Sequence, residues 1–188
     1  MDWPKHVKIR IAAAKIAAGG VIAYPTEAVW GLGCDPFNRD AVLRLLALKQ
    51  RAADKGLLLI AAAAAQVAPL LHNLTTQQRQ LFSQEQPHPT TWLVPETELT
   101  PSWIRGRFDS VAIRVTRHPV AAALCQVFGG PIVSTSANPS ARPPAVTALT
   151  VRRYFPSGLA AITPGKIGDA DKPSEIRHIV TGAVVRAG

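Results

Sequence analysis

Short apolar runs of strand length alternate with stretches of helical period along nearly the whole chain, and this alternation constrains the fold more than any other feature. A sequence that switches repeatedly between periods of 2 and 3.6 packs helices against a sheet in layers. Val7, Ile11, Ala14 and Ala18 recur at steps of four, three and four, which predicts an amphipathic first helix with that stripe facing the core. Gly19-Gly20 ends it. Residues 21–24 read as a buried strand that stops at Pro25. Gly31-Leu32-Gly33 reads as a tight backbone passage, because glycine adopts angles closed to other residues. Asn38 caps a helix to about Lys49, with Val42, Leu45, Leu46 and Leu48 inward. Thr75 and Gln78 form a capping box for a polar helix reaching about Ser83. Pro119 opens a helix that ends at Gly129-Gly130, and Thr147 caps one to Tyr154. Strands are expected over residues 57–60, 91–94, 110–115 and 132–135, with short ones near 159–162, 177–180 and 184–186. The expectation is one α/β (mixed α+β) domain over residues 1–188: a twisted mixed sheet of about seven strands flanked by five helices in three layers.

Composition narrows the functional classes. The longest unbroken apolar run, Leu57 to Ala65, has nine residues and is too short to span a bilayer. Lys15 interrupts the apolar stretch that a signal peptide would need. A soluble cytoplasmic protein with no membrane partner is expected. The net charge is +9, and 14 of the 21 basic residues are Arg, whose planar fork matches phosphate and carboxylate oxygens. Such an excess favours nucleotides or nucleic acid as partners, or is a solvated basic surface. Cys34 and Cys125 lie in apolar surroundings without metal-ligand spacing, so they read as buried thiols, and no metal site is expected from the protein's own side chains. Walker A, GxGxxG, HExxH and GxSxG patterns are absent, as are RNA-binding aromatic runs.

Polar clusters recur at the ends of predicted strands: Pro25-Thr26-Glu27, Lys49-Gln50-Arg51 with Lys55, Ser110 with Arg114, and Ser134-Thr135-Ser136-Ala137-Asn138. Ligands of open α/β sheets bind beyond strand ends. Hydroxyls, amides and cationic forks together suit a polyanion such as a triphosphate. Each cluster has a plainer reading. Thr26 fits a turn after Pro25, and Lys49 with Arg51 fits a solvated helix end. Arg114 stands between Ile113 and Val115 in an apolar strand, so it needs an anionic partner, either a ligand or an internal carboxylate.

Together these strings resemble the YrdC family. Tyr24-Pro25-Thr26-Glu27-Ala28-Val29-Trp30-Gly31-Leu32-Gly33 is similar to its opening motif. Lys49-Gln50-Arg51 with Lys55 is similar to its KxR element, and Ser110-Val111-Ala112-Ile113-Arg114 to its central strand. Ser134-Thr135-Ser136-Ala137-Asn138 is similar to its SxN motif, and Pro173-Ser174-Glu175-Ile176 to a late motif. The resemblance runs from about Ile22 to Arg186 and is closest to the short bacterial members.

It implies a basic concave face and a reaction that condenses L-threonine, bicarbonate and ATP into L-threonylcarbamoyladenylate with release of pyrophosphate. It further implies that a partner complex transfers the threonylcarbamoyl group to the adenosine beside the tRNA anticodon. By this resemblance Arg51 and Lys55 hold the phosphates, with Lys49 nearby; Lys49 and Arg51 are the catalytic candidates. Ser110, Ser136, Asn138 and Arg186 fall on the nucleotide side. Thr26, Arg114, Ser134 and Ser174 surround the threonine, Arg114 pairing with its carboxylate. Mg2+ is expected with the ATP. The alternative is a non-catalytic RNA-binding protein, and direct tRNA or double-stranded RNA binding fits the charge of either. A carbamoyl-phosphate-handling enzyme is a third reading, but it normally carries further domains. The sequence departs from the family pattern at three positions. His88 and Ala141 stand where glycine is usual, and Gln86 stands where close relatives tend to have Trp. At a left-handed position His88 would add about 1–2 kcal/mol of strain.

Overall fold

The computed structural model describes residues 2–187. In chain order these form α1 (Val7–Ala17), β1 (Ile22–Pro25), β2 (Trp30–Gly33), α2 (Arg39–Lys49), β3 (Leu58–Ala61), α3 (Thr76–Ser83), β4 (Thr90–Pro95), α4 (Ser102–Arg105) and β5 (Ser110–Val115). Then come α5 (Pro119–Phe128), β6 (Ile132–Ser136), α6 (Ala148–Tyr154), β7 (Ala161–Ile162), β8 (Glu175–His178) and β9 (Val184–Arg186). The strands build one nine-stranded sheet in the order β7-β1-β2-β6-β3-β5-β4-β8-β9. It is mixed: β1/β7, β3/β5 and β4/β8 run parallel and the remaining pairs antiparallel. No helix among the described residues is long and apolar enough to cross a membrane.

Strand alternation divides the apolar residues into two cores. Ile22, Tyr24, Ile60 and Ile132 project from one face and pack under α1 and α5. Val21, Ala23, Leu59, Ala61, Val111, Ile113 and Val133 belong to the opposite core, with α2 and residues of α3, α4 and α6. The result is the expected three layers. α1 and α5 cover only part of their face. The remainder, across β6, β3, β5, β4 and β8, stays open.

Most elements fall where periodicity put them. Asn38 Oδ1 accepts from Ala41 N, and Thr75 with Gln78 makes both bonds of the capping box. Three readings change. The buried stripe of α1 is Ile9, Ala12, Ala13 and Ile16, while Val7, Ile11, Ala14 and Ala18 face outward. Both stripes have helical spacing, and the buried one carries two isoleucines against the sheet and α5. Secondly, Gly31 and Gly33 form the unforeseen strand β2, and their role is space rather than angle. A Cβ on Gly33 would lie 2.4 Å from Val133 O and 2.8 Å from Tyr24 Cε1. Thirdly, α4 is a single turn, too short to show a period.

The two glycine departures also separate. His88 is not among the residues with positive φ, so the strain considered for it does not arise. Ala141 has φ 62°. An alanine held there is strained by about 1–2 kcal/mol. Ala141→Gly is therefore expected to stabilise the fold, by about 0.5–1 kcal/mol after the added freedom of the unfolded chain is subtracted. A rise in urea midpoint at unchanged m-value would show it.

Candidate active site

The open part of the sheet face is the floor of a cleft of about 470 Å³. Its chemistry follows from the alternation of β5. Val111 and Ile113 enter the core, while Ser110, Ala112 and Arg114 project the other way into the cleft. Registry continues this polar row sideways. Leu58 pairs with Ala112 on one side and Ser134 on the other, and Ser136 pairs with Gly31. One wall is the β1–β2 turn with Thr26. Arg51 and Lys55, which follow α2, and Arg105, the last residue of α4, also line the cleft. Residues 163–174 cross from β7 to β8 past the mouth. Gly168 N donates to Thr26 O at 3.0 Å and Ala170 N to Glu27 O at 3.1 Å.

Nine of the sequence-selected residues line this cleft: Thr26, Arg51, Lys55, Ser110, Arg114, Ser134, Ser136, Ser174 and Arg186. Lys49 and Asn138 do not line it; they lie behind it. The Lys49 ammonium donates to the carbonyls of Ser136 and Asn138, and the Lys49 carbonyl accepts Ser140 N at 2.9 Å. Asn138 Oδ1 accepts from Ser136 Oγ at 2.6 Å, and its Nδ2 donates to Arg142 O. These two residues stitch the loop after β6 to the end of α2. Burial, assisted by Arg51, pushes the Lys49 ammonium down to about 8. Lys49→Met removes the ammonium from both carbonyls, of which Ser136 O keeps Asn138 N at 3.0 Å, and is expected to cost about 2 kcal/mol in urea unfolding.

Thr26 fills its plainer role as well. Its hydroxyl donates to Val29 O at 2.7 Å, closing the hairpin turn. Ser174 shares a hydrogen bond with Thr91 at 2.8 Å, and Arg186 Nη2 donates to Ser174 O at 2.7 Å, drawing β9 toward the cleft. Arg51 Nη2 donates to Gly56 O at 3.0 Å. Two guanidinium atoms, Arg51 Nε and Arg114 Nε, are buried with no partner. Both residues belong to the cleft lining, and buried donors of this kind carry a desolvation cost unless something accepts from them.

Sequence reasoning missed Glu27 as a site residue. It provides the internal carboxylate left open for Arg114: Glu27 Oε2 lies 3.2 Å from Arg114 Nη2. Its Oε1 accepts from Thr116 Oγ1 at 2.7 Å and from Arg117 N at 3.2 Å. Burial pushes the carboxyl up, but Arg114 and these donors outweigh it and leave it below the usual carboxylate range. The signal was available, since Glu27 adjoins Thr26 and Arg114 required an anion. Arg105 and Lys172 also line the cleft. With Arg51, Lys55, Arg114 and Arg186 they leave Glu27 as the one carboxylate among the described lining residues. Cys34 and Cys125 are free and buried, and burial pushes both thiols up to about 12.

A family model covering Sua5, YciO and YrdC, described as "Telomere recombination", matches residues 14–188. The chain belongs to the Sua5/YciO/YrdC family. Within it, a Cellvibrio japonicus relative named threonylcarbamoyl-AMP synthase is 55% identical over 99% of this chain and 98% of its own. A Halorhodospira halophila relative of the same name is 52% identical over 95% and 94%. Among solved structures, P. abyssi Sua5 complexed with L-threonine superposes with TM-score 0.83 at 32% identity, over 90% of this chain and 50% of that one. This family chain thus spans about half the length of that Sua5. The same fold recurs in HypF at TM-score 0.80, 17% identity and 28% of that protein's length.

Proposed function

We propose that this protein is a threonylcarbamoyl-AMP synthase: it condenses L-threonine, bicarbonate and ATP into L-threonylcarbamoyladenylate and releases pyrophosphate. The observation that carries the reading is the convergence of nine motif residues on one cationic cleft, in a chain 55% identical over nearly its full length to a threonylcarbamoyl-AMP synthase. A non-catalytic RNA-binding surface makes no use of buried, unpartnered guanidinium donors on residues that line a concave cleft.

Bicarbonate takes up a proton and loses water to give carbon dioxide; the amine of threonine bonds to its carbon, loses a proton and gives a carbamate. A carbamate oxygen then attacks the α-phosphorus of ATP, and the bond to the β-phosphate oxygen breaks as pyrophosphate leaves with the electron pair. Neither step requires a protein nucleophile. What the site supplies is alignment and neutralisation of charge on the phosphates. Arg51 and Lys55 bind the phosphates. Ser110, Ser136 and Arg186 complete the nucleotide side, and Lys49 with Asn138 holds the loop that carries Ser136. Thr26, Arg114, Ser134 and Ser174 enclose threonine, with Arg114 Nε directed to its carboxylate. ATP enters with magnesium on its phosphates. The lining residues fit that arrangement, since their hydroxyls and cations address the nucleotide and Glu27 is engaged by Arg114. Magnesium carried in on ATP would supply further charge neutralisation for the pyrophosphate that Arg51 and Lys55 bind.

The adenylate passes in the cytoplasm to a complex that transfers the threonylcarbamoyl group to tRNA adenosine next to the anticodon. The basic surface is available for contact with tRNA or double-stranded RNA. Incubation with threonine, ATP, magnesium and 13C-bicarbonate tests the proposal. A threonylcarbamoyl nucleotide one mass unit heavier than with ordinary bicarbonate is expected, and absence of that product would overturn the reading.

A further inference from the structure

We infer that Glu27 is a positioning residue for the amino-acid half of the cleft, holding the Arg114 guanidinium through its Nη2 so that its Nε–H is left for a substrate carboxylate. The inference rests on the reading of the cleft as a threonine site. Arg114 emerges near the C-terminal end of an apolar strand, is 8% exposed, and pairs through Nη2 with Glu27 while its buried Nε has no partner. A guanidinium is planar and its donors have a fixed fork, so anchoring Nη2 restricts the direction of the remaining donors.

Glu27 is itself fixed from several sides. Its Oε1 accepts from Thr116 Oγ1 and Arg117 N, both just beyond β5, and its backbone carbonyl accepts Ala170 N from the segment crossing the cleft. That segment approaches so closely that a Cβ on Gly168 would meet Glu27 O at 2.9 Å. One residue therefore joins the β1–β2 turn, the end of β5 and the crossing segment around the arginine. Charge adds a second reason. Arg186 lies near enough to Arg114 to disfavour its own charged form, after burial, and Glu27 offsets that crowding of cations. A buried ion pair is a poor source of stability on its own, because desolvating both partners consumes most of the attraction. On a cleft wall with a free donor beside it, the pair instead orients a binding group.

The test compares wild type, Glu27→Gln and Thr116→Val. Glu27→Gln keeps the shape and removes the charge. Thr116→Val keeps both charges and removes a donor that fixes the carboxylate. Steady-state pyrophosphate release and threonine binding by calorimetry are measured on each. Glu27→Gln is expected to raise the KM and Kd for threonine about tenfold, with the KM for ATP within about twofold of wild type. Thr116→Val is expected to move the threonine constants in the same direction by about threefold, and it decides the matter alone if Glu27→Gln does not fold. Unchanged threonine constants, or equal rises for threonine and ATP, would overturn the inference. A wild-type protein that neither binds threonine nor releases pyrophosphate with it would instead overturn the reading of the cleft, whatever the variants do.

Discussion

Arg51→Ala is expected to lower kcat/KM for ATP by about two to three orders of magnitude, the usual effect of removing a preorganised donor from developing phosphate charge. Arg51 leaves α2 just after Gln50, which has φ 52°, and that left-handed turn redirects the chain toward the cleft. Its Nη2 is tied to the carbonyls of Lys55 and Gly56, so that nitrogen is held while the buried Nε has no partner. Arg51→Lys keeps the charge without the fork and should recover only part of the loss. Stopped pyrophosphate assays at several ATP concentrations measure both variants. Activity of Arg51→Ala within threefold of wild type would remove Arg51 from the phosphate site. Circular dichroism guards against a simple folding defect, because the same side chain braces residues 52–56.

The second large effect concerns stability. Gly33→Ala is expected to destabilise the protein by about 3 kcal/mol, at the upper end of overpacking costs. The added methyl would meet a backbone carbonyl, Val133 O at 2.4 Å, and the Tyr24 ring at 2.8 Å. Neither moves freely. The Tyr24 hydroxyl donates to the same carbonyl at 3.2 Å, and Tyr24 is wholly buried beneath α1 and α5. Relief requires β2 to shift, which also disturbs the pairing of Gly31 with Ser136. Urea denaturation measures the change, and a midpoint equal to that of wild type would show that the sheet absorbs the methyl without strain.

Elements with a strong local signal were legible in the sequence. Ser110–Val115 alternates cleanly, and β5 occupies those residues. Caps at Asn38, Thr75 and Thr147 begin helices as expected because each side chain satisfies a backbone donor locally. What was hidden depends on neighbours distant in sequence. In α1 two stripes satisfy the same period, and only the sheet and α5 decide that Ile9 and Ile16 face inward. β2 looked like a glycine passage because its requirement for small residues comes from Tyr24 and Val133.

The site shows the same division. Motif strings gave Arg51, Ser110, Arg114 and Ser134, which the fold brings to one cleft. They did not reveal that Lys49 turns away from that cleft to hold the carbonyls of Ser136 and Asn138. Nor did they pair Arg114 with Glu27, 87 positions earlier, because β1 and β5 approach only through the folded sheet. Resemblance picked out residues that line the cleft more readily than the residues packed against them.

The most direct test of the account is pyrophosphate release from ATP and magnesium by the purified protein, measured with threonine and bicarbonate together and with each omitted. The account predicts release that requires both, since the carbamate that attacks the α-phosphorus is assembled from the two. Release that persists without threonine, or no release above the blanks from folded protein with intact ATP, would contradict it.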